Sequence, residues 1–597
     1  MTASHAHADR RLIAAARAAG DSYFDAQEHL LRIPASANPV HTAINSGLVH
    51  PYRESTTYAL ALLESGDTGA AVPILERVVA GQDADPASET FGVWGYVAEE
   101  PLLAMRRPDL NWADFLGQEL LLILFRHEHH LPLGLRHRLR VAVERAAEAI
   151  IRRNVSMEYT NIAVKGMFVT LGAGQVLGSD ELIRYGRERM RRLTATTAAS
   201  GSFAEYNSPT YWQVTCTAMT AISQLISDGE AAAAATGLVD LLWRHLVRRW
   251  HRPTGQLSGP MSRAYADELT RRNSLPAFLA KATGYRAPFD GLPAPTEPEA
   301  QLGLVATAIL RPQAPPDAVA ALTETAHVTE LVERFELGSP DRTGTTWLDG
   351  ATTLGTVNHA DMWAQRRNLL GYWSGPGEQP WAQPVRRVRI RMTKDGRDFV
   401  SGAFSAVQDG PHALWHVGLA SPGGDWHVHR DVIEAGQKIE LQSLRVSFEL
   451  FAGSDASVEI EGRPAQTGDR YPLGATVAVR SGGAVVWIRP VAAAFGTRTP
   501  VGRLRADGEL LRVDVDLLDS VRPVETDLSS VGRAYAAGAV SLLPAESPPP
   551  VTPVSVNERG EVVELKWQPR AHLTLAARTA VSSREDHAAA LYTDRRE

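Results

Sequence analysis

Three short stretches of the chain gather the residue types that proton transfer beside a carboxylate requires. GSFAEYNSPTY, residues 201–211, places a carboxylate (Glu205), two phenols (Tyr206, Tyr211) and an amide (Asn207) around Ser208-Pro209. Serine is a strong helix N-cap and proline suits the first helical position, so a helix is expected to start here with Tyr211 in its first turn. The positive end of that helix favours a phenolate, which is a physical reason for a tyrosine base; the plain alternative is that both tyrosines are packing residues. MEYTNIAVKG, residues 157–166, sets Asn161 and Lys165 one helical turn apart on a shared face, or uses Asn161 as a cap. TGQLSGPMSRAYADE, residues 254–268, reads as a Gly/Pro loop presenting Arg263 and Tyr265, with Arg271 and Arg272 following.

An amide and a guanidinium able to hold a carboxylate, with a tyrosine to exchange a proton, suit β-elimination from a uronic acid. The proton alpha to the sugar carboxylate is very weakly acidic, so the developing enediolate must be stabilised electrostatically before a base removes it. A phenol can then protonate the departing glycosidic oxygen. Two alternatives remain open: a glycoside hydrolase using Glu205 with Asp267 or Glu268 as its carboxylate pair, and a non-catalytic carbohydrate-binding protein. Trp94 and Tyr96 in VWGYVAEE, and Trp212 beside Tyr211, are candidate sugar platforms, because the apolar face of a pyranose stacks on a ring.

The elements that must position these residues divide the chain in two. Its 597 residues are too many for one core and enough for two or three domains. Up to about residue 285 the periodicity is helical, with short Gly, Pro, Asn or Ser breaks that make consecutive helices antiparallel neighbours. Ten or more such helices suit an (α/α) toroid around a cleft, over residues 1–290; a helical solenoid is the alternative, although no fixed repeat is visible. YRAPFDGLPAPTEPEA, residues 285–300, reads as a linker. Short alternating strands follow, and an antiparallel β-sandwich is expected over 301–544. AESPPPVTP marks another break, after which residues 545–597 form a small β segment or complete the sandwich.

The order of these motifs resembles the toroid-plus-sandwich polysaccharide lyases, a superfamily that holds hyaluronate, chondroitin and xanthan lyases and, more distantly, heparinases and alginate lyases. In that family an Asn segment, a Gly-Ser-aromatic segment bearing a His and then a Tyr, and a Ser-Arg loop follow one another at intervals similar to those of Asn161, GSFAEYNSPTY and PMSRAY. The resemblance implies that Asn161 and Arg263 bind the substrate carboxylate and that Tyr211 is the general base or acid. NHADMWAQRRNLLGYWSG, residues 358–375, is similar to the first sandwich strands that approach the cleft in those enzymes. Where the family has its histidine, this chain has Glu205-Tyr206-Asn207. Tyr206, or His359 from the second domain, is the expected replacement; Glu205, Asn207, Lys165, Tyr265, Trp94 and Trp212 are the expected substrate contacts.

Composition narrows the partners. With 44% hydrophobic and 22% charged residues and a net charge of −7, the chain is not the strongly basic type that binds nucleic acid. The lone cysteine, Cys216, excludes an intrachain disulfide. HEHH, residues 127–130, lacks metal-motif spacing and reads as a solvated helix end. In DWHVHRD, strand alternation puts His427, His429 and Asp431 on one face, a trio of zinc-ligand type, yet no metal or other cofactor is expected. The N-terminus lacks a secretory signal and no apolar run approaches a membrane span, so a cytoplasmic enzyme acting on imported acidic oligosaccharides is expected, without a membrane partner. A homo-oligomer is compatible with the sequence.

Overall fold

The architecture is described from a computed structural model covering residues 3–35, 41–44, 46–269, 274–286, 289, 295–323, 329–381, 384–425, 432–550 and 552–591. Thirteen of the helices among these residues precede the sandwich: α1 (Ala3–Asp21), α2 (Tyr52–Glu64), α3 (Thr68–Ala80), α4 (Trp112–His127), α5 (Leu133–Arg153), α6 (Thr160–Leu177), α7 (Asp180–Ser200), α8 (Pro209–Leu225), α9 (Gly229–Arg249), α10 (Leu275–Ala282), α11 (Pro298–Leu302), α12 (Leu304–Leu310) and α13 (Pro316–Thr323). Helices α2, α4, α6 and α8 pack on one another in that order, while α3, α5, α7 and α9 pack outside them. The inner helices therefore run the same way, and their first turns gather at one end.

Helix α6 shows why this ring holds. Every residue from Thr160 to Gly174 is buried, so the helix is apolar nearly all round rather than striped, as a helix enclosed by others must be. Small residues permit the close contacts: a Cβ on Gly166 would stand 2.9 Å from Asp114, and one on Gly172 would stand 2.8 Å from Leu121. The expected linker does not end the helical region. Past the proline-rich stretch α11 and α12 pack back on α1, and Asp9 of α1 accepts from Arg311 at 3.1 Å and pairs with buried Lys281. Helical structure thus extends to Thr323, and residues 295–323 belong to the toroid because the first helix needs a partner for its apolar face.

The second half is the expected antiparallel sandwich. One sheet has eight strands, in the order His359–Asp361, Gly402–Asp409, His412–Leu419, Ala534–Pro544, Ala484–Phe495, Val477–Ser481, Ser457–Ile460 and Arg463–Pro464. The other runs from Arg470–Tyr471 through Leu510–Asp527, Lys438–Phe451 and Arg386–Lys394 to Thr329–Glu336. Their facing apolar residues, among them Trp415, Phe448, Val486 and Val515, make a second core. A separate three-stranded sheet, Ser555–Arg559, Val562–Trp567 and Leu573–Arg578, buries Leu565 and Leu575 with Tyr535 and Leu414 of the sandwich.

Toroid and sandwich are bolted together by charge and by close backbone approach. Asp267 pairs with Arg367 at 2.6 Å, Arg389 at 2.7 Å and Arg387 at 3.5 Å, and Glu268 pairs with Arg387 at 2.7 Å. Fully buried Arg249 pairs with Glu333. Gly355 lies so near the loop before Pro260 that a Cβ there would stand 1.9 Å from the Gly259 carbonyl oxygen. Met261 and Arg367 exchange backbone hydrogen bonds of 3.0 Å in both directions. These contacts carry the sandwich loop 362–368 against the mouth of the toroid.

Candidate functional site

Glu205 ties the site together. Helix α7 ends at Gly201, whose φ of 78° is the left-handed turn a glycine adopts without penalty, and Ser208 then starts α8 by accepting from the Tyr211 N–H at 3.2 Å. Between these points the Glu205 carboxylate accepts from the Asn161 backbone N–H at 2.7 Å and from Asn161 Nδ2 at 2.7 and 2.9 Å. The first N–H groups of a helix have no partner within it, so Glu205 caps α6 from outside, at the positive end of its dipole. Tyr159 rather than Asn161 occupies the cap position of α6 and makes no side-chain cap bond. The Asn161 side chain is thereby turned toward the site, its Nδ2 held by Glu205 and its buried Oδ1 without a hydrogen-bond partner among the described residues.

Arg263 completes the cluster from the loop. Its Nη1 donates to Glu205 at 2.9 Å and its Nε to Gln365 Oε1 at 3.0 Å. The guanidinium lies 4.3 Å from the Tyr211 ring centroid, 5.0 Å from that of Trp363 and 5.8 Å from that of Tyr159, a cation held among three aromatic faces. The Tyr211 hydroxyl is 2.6 Å from that of Tyr265. Tyr211 is buried and Tyr265 is 63% exposed, so the phenol pair links the interior to solvent. Burial pushes the Glu205 carboxyl above its ordinary range in spite of Arg263 and Asn161. Burial also pushes the Tyr211 phenol up, with Tyr265 adding to it. The expected helix-assisted phenolate is thus corrected: at this depth desolvation outweighs the dipole, and Tyr211 keeps its proton.

The polar wall continues along the first turns of the inner helices. Asn111 Nδ2 donates to the Tyr159 hydroxyl at 3.0 Å, and the Tyr96 hydroxyl donates to Asp109 at 2.8 Å. The Tyr96 and Trp112 rings lie 4.1 Å apart, and Arg53 sits 5.3 Å from both Trp112 and Phe115. Lys165, one turn beyond Asn161, donates to Gln118 Oε1 at 3.0 Å and lies over Phe115 at 4.7 Å. Burial lowers its ammonium to about 8.

Asn161, Glu205, Tyr211, Arg263 and Tyr265 therefore meet in one place, with Lys165 along the same helix face. Several other expected site residues lie elsewhere. Tyr206 points away into the sandwich, stacked on Phe335 at 3.9 Å with the rings 5° from parallel; it plugs the domain interface. Asn207, at a φ of 44°, donates to the Ser258 and Pro260 carbonyls at 2.6 Å each and is a loop clamp rather than a substrate contact. His359 is held neutral by burial, down to about 4, beside Arg342, and no described hydrogen bond or ion pair joins it to the cluster. Trp94 is fully buried with its Nε1 donating to the Val78 carbonyl at 2.8 Å. Trp212 is core as well, donating to the Leu242 carbonyl at 2.8 Å and packed on Trp243 and Phe278. Both indoles face helix neighbours, so neither is a sugar platform.

Asp267 and Glu268, the partners the hydrolase alternative gives Glu205, are both paired with arginines of the sandwich. Burial alone would raise Asp267, but Arg389, Arg367 and Arg387 together hold it well below the usual range, so it is locked as an ion in the domain interface. Among the described residues no group of three or more His, Cys, Asp or Glu side chains is placed to hold a metal; His427, His429 and Asp431 lie outside the described residues. His127 of HEHH is buried against Glu64 at 2.8 Å, so that helix end is only partly solvated. The Cys216 thiol is buried and pushed up to about 12, as an inert core thiol would be. No helix among the described residues is long and apolar enough to cross a membrane. Tyr159, Trp363 and Gln365 are site residues that the sequence reading did not select. All three lie in quoted stretches, Tyr159 in MEYTN and Trp363 and Gln365 in NHADMWAQRRNLLGYWSG.

Residues 10–288 match a family described as a domain of unknown function, DUF8769. No curated protein sequence matches. Among solved structures, one of heparinase III is similar over 88% of this chain and 82% of its own, at 11% identity and a TM-score of 0.45. A second heparinase III structure, with methylated lysines, is similar over 88% of this chain and 83% of its own, at 9% identity and a TM-score of 0.32.

Proposed function

We propose that this protein is a lyase that cleaves a uronic-acid-containing poly- or oligosaccharide by β-elimination. One observation carries the reading: Asn161, Arg263 and the Tyr211–Tyr265 phenol pair converge, with a carboxylate already seated against the amide and guanidinium. The seated group is the chain's own Glu205, which fixes both donors in position. Arg263 uses Nε and Nη1 for protein contacts, and its Nη2 edge is left for the carboxylate of a uronate. Charge growing on that carboxylate as the alpha proton leaves is met by a preorganised cation in a buried setting, where such stabilisation is strongest.

As the glycosidic C–O bond breaks, the Tyr211 hydroxyl gives its proton to the departing oxygen and takes the alpha proton in exchange while the C–C double bond forms, so that Tyr211 ends the step protonated as it began. Tyr211, which burial keeps protonated, supplies the proton that the departing oxygen takes up, and Tyr265 passes protons to and from solvent. Product formation from acidic oligosaccharides, followed through the ultraviolet absorbance of the unsaturated uronate, tests this directly. Tyr211→Phe is expected to lower kcat by about 10²- to 10⁴-fold. Reducing ends formed without that absorbance would establish hydrolysis instead, and binding without turnover in both proteins would establish a binding module.

A further inference from the structure

One helical turn beyond Asn161, about 6 Å along α6, the packing of α4 on α6 holds polar atoms that no described residue satisfies. Glu119 Oε2 is buried and accepts no hydrogen bond, while its Oε1 meets only Gln118 Nε2 at 3.4 Å. Trp112 Nε1 is buried and donates to nothing. Lys165 spends one of its three N–H groups on Gln118 Oε1 and makes no ion pair with Glu119. A carboxylate oxygen lacking a donor, an indole N–H lacking an acceptor and an ammonium with N–H groups to spare are matched together by one kind of group, a hydroxyl, which donates and accepts at once. The Phe115 and Trp112 rings, already faced by Lys165, Arg53 and Tyr96, add apolar edges to the same place.

Charge sets what that ring can carry. Arg53, the second cation here, is already bonded to Glu54 at 2.9 Å and paired with Glu299 at 2.6 Å. Lys165 faces half-buried Glu119 and buried Asp114, and burial pushes Asp114 up to about 7. Arg153 in turn lies 4.0 Å from Asp114, so each cation here already has a carboxyl partner and none is left over for a second anionic group.

We propose that Glu119, Lys165 and Trp112 form a subsite that reads the hydroxyls of the sugar next to the uronate and selects an unsulfated sugar there. The proposal rests on the placement of the uronate at Asn161 and Arg263. Its test is binding, not turnover, so the two can fail separately. Calorimetric titrations of the Tyr211→Phe protein would use size-matched uronate-containing tetrasaccharides, unsulfated or sulfated on the non-uronate sugar. The unsulfated form is expected to bind at least tenfold more tightly. Glu119→Gln keeps the shape and removes the charge, and should narrow that preference by about tenfold by improving sulfated binding. Trp112→Phe should weaken both ligands severalfold without changing their ratio, which guards against a general disturbance. Equal binding of the two forms, or a ratio unmoved by Glu119→Gln, would overturn the subsite. Absence of an unsaturated product with the binding preference intact would overturn only the lyase reading.

Discussion

Removing the Glu205 carboxylate is the perturbation whose consequences the structure defines most fully. The group accepts from Asn161 N at 2.7 Å, from Asn161 Nδ2 at 2.7 and 2.9 Å and from Arg263 at 2.9 Å, and the side chains of Glu205 and Arg263 are only 7% and 16% exposed. Truncating one member of a buried ion pair costs about 3–5 kcal/mol, because the other charge is stranded. Arg263 is not wholly stranded, since Gln365 and the faces of Tyr211 and Trp363 remain, each ring contact being worth about 0.5–1 kcal/mol. Glu205→Ala is therefore expected at the lower end, about 3 kcal/mol, and Arg263→Ala at a similar value. In the double variant no charge is stranded, so the total falls short of the sum by about 2 kcal/mol. Urea titration of the toroid transition in the four proteins gives this coupling directly, and urea leaves the ion pair unscreened. A coupling under about 0.5 kcal/mol would refute the idea that Glu205 holds the two donors as one unit.

Three further outcomes follow from the same geometry. Tyr265→Phe, which takes the hydroxyl partner from Tyr211 but leaves the buried phenol in place, should lower kcat about tenfold with KM nearly unchanged; a loss as large as that of Tyr211→Phe would show that Tyr265 itself touches the substrate. Asp267→Ala strands buried Arg367, while Arg387 keeps Glu268 and Arg389 keeps Glu449, and should cost about 3 kcal/mol, seen as earlier melting of toroid against sandwich by calorimetry. Acid should weaken the fold before it touches the ordinary carboxylates. His251 and His412 are lowered by burial to about 4 and His416 to about 3, so each contributes stability that is present above 6.5 and lost as pH falls toward those values. At pH 5.5 the three together lose about 4 kcal/mol, offset by about 2 kcal/mol from Asp114, whose raised carboxyl favours the fold as pH drops through 7. Denaturation midpoints at pH 7 and 5.5 measure the difference, and an unchanged midpoint would mean these histidines are protonated in place.

What could be read from the sequence and what could not divide along a physical line. Period and punctuation depend on near neighbours, so the helices, the strands and the Ser208-Pro209 start were legible, as was the toroid followed by a sandwich. Burial depends on the partner across the interface, which one sequence does not display. Thus Trp94 in VWGYVAEE reads as a sugar platform, but it is closed over by α3 through the Val78 carbonyl. Tyr206 and Tyr211, five residues apart, look interchangeable as proton carriers until the left-handed turn at Asn207 sends one into the sandwich and the other to Arg263. The departure from the lyase pattern at Glu205 has the same origin. In the sequence it is a missing histidine; in the fold it is a carboxylate that caps α6 and grips Arg263, a role no local pattern encodes because its partners lie 44 and 58 residues away. A carboxylate here therefore puts rigidity of the two donors where the resemblance has a titratable ring, and under the proposed elimination proton transfer falls to the phenol pair.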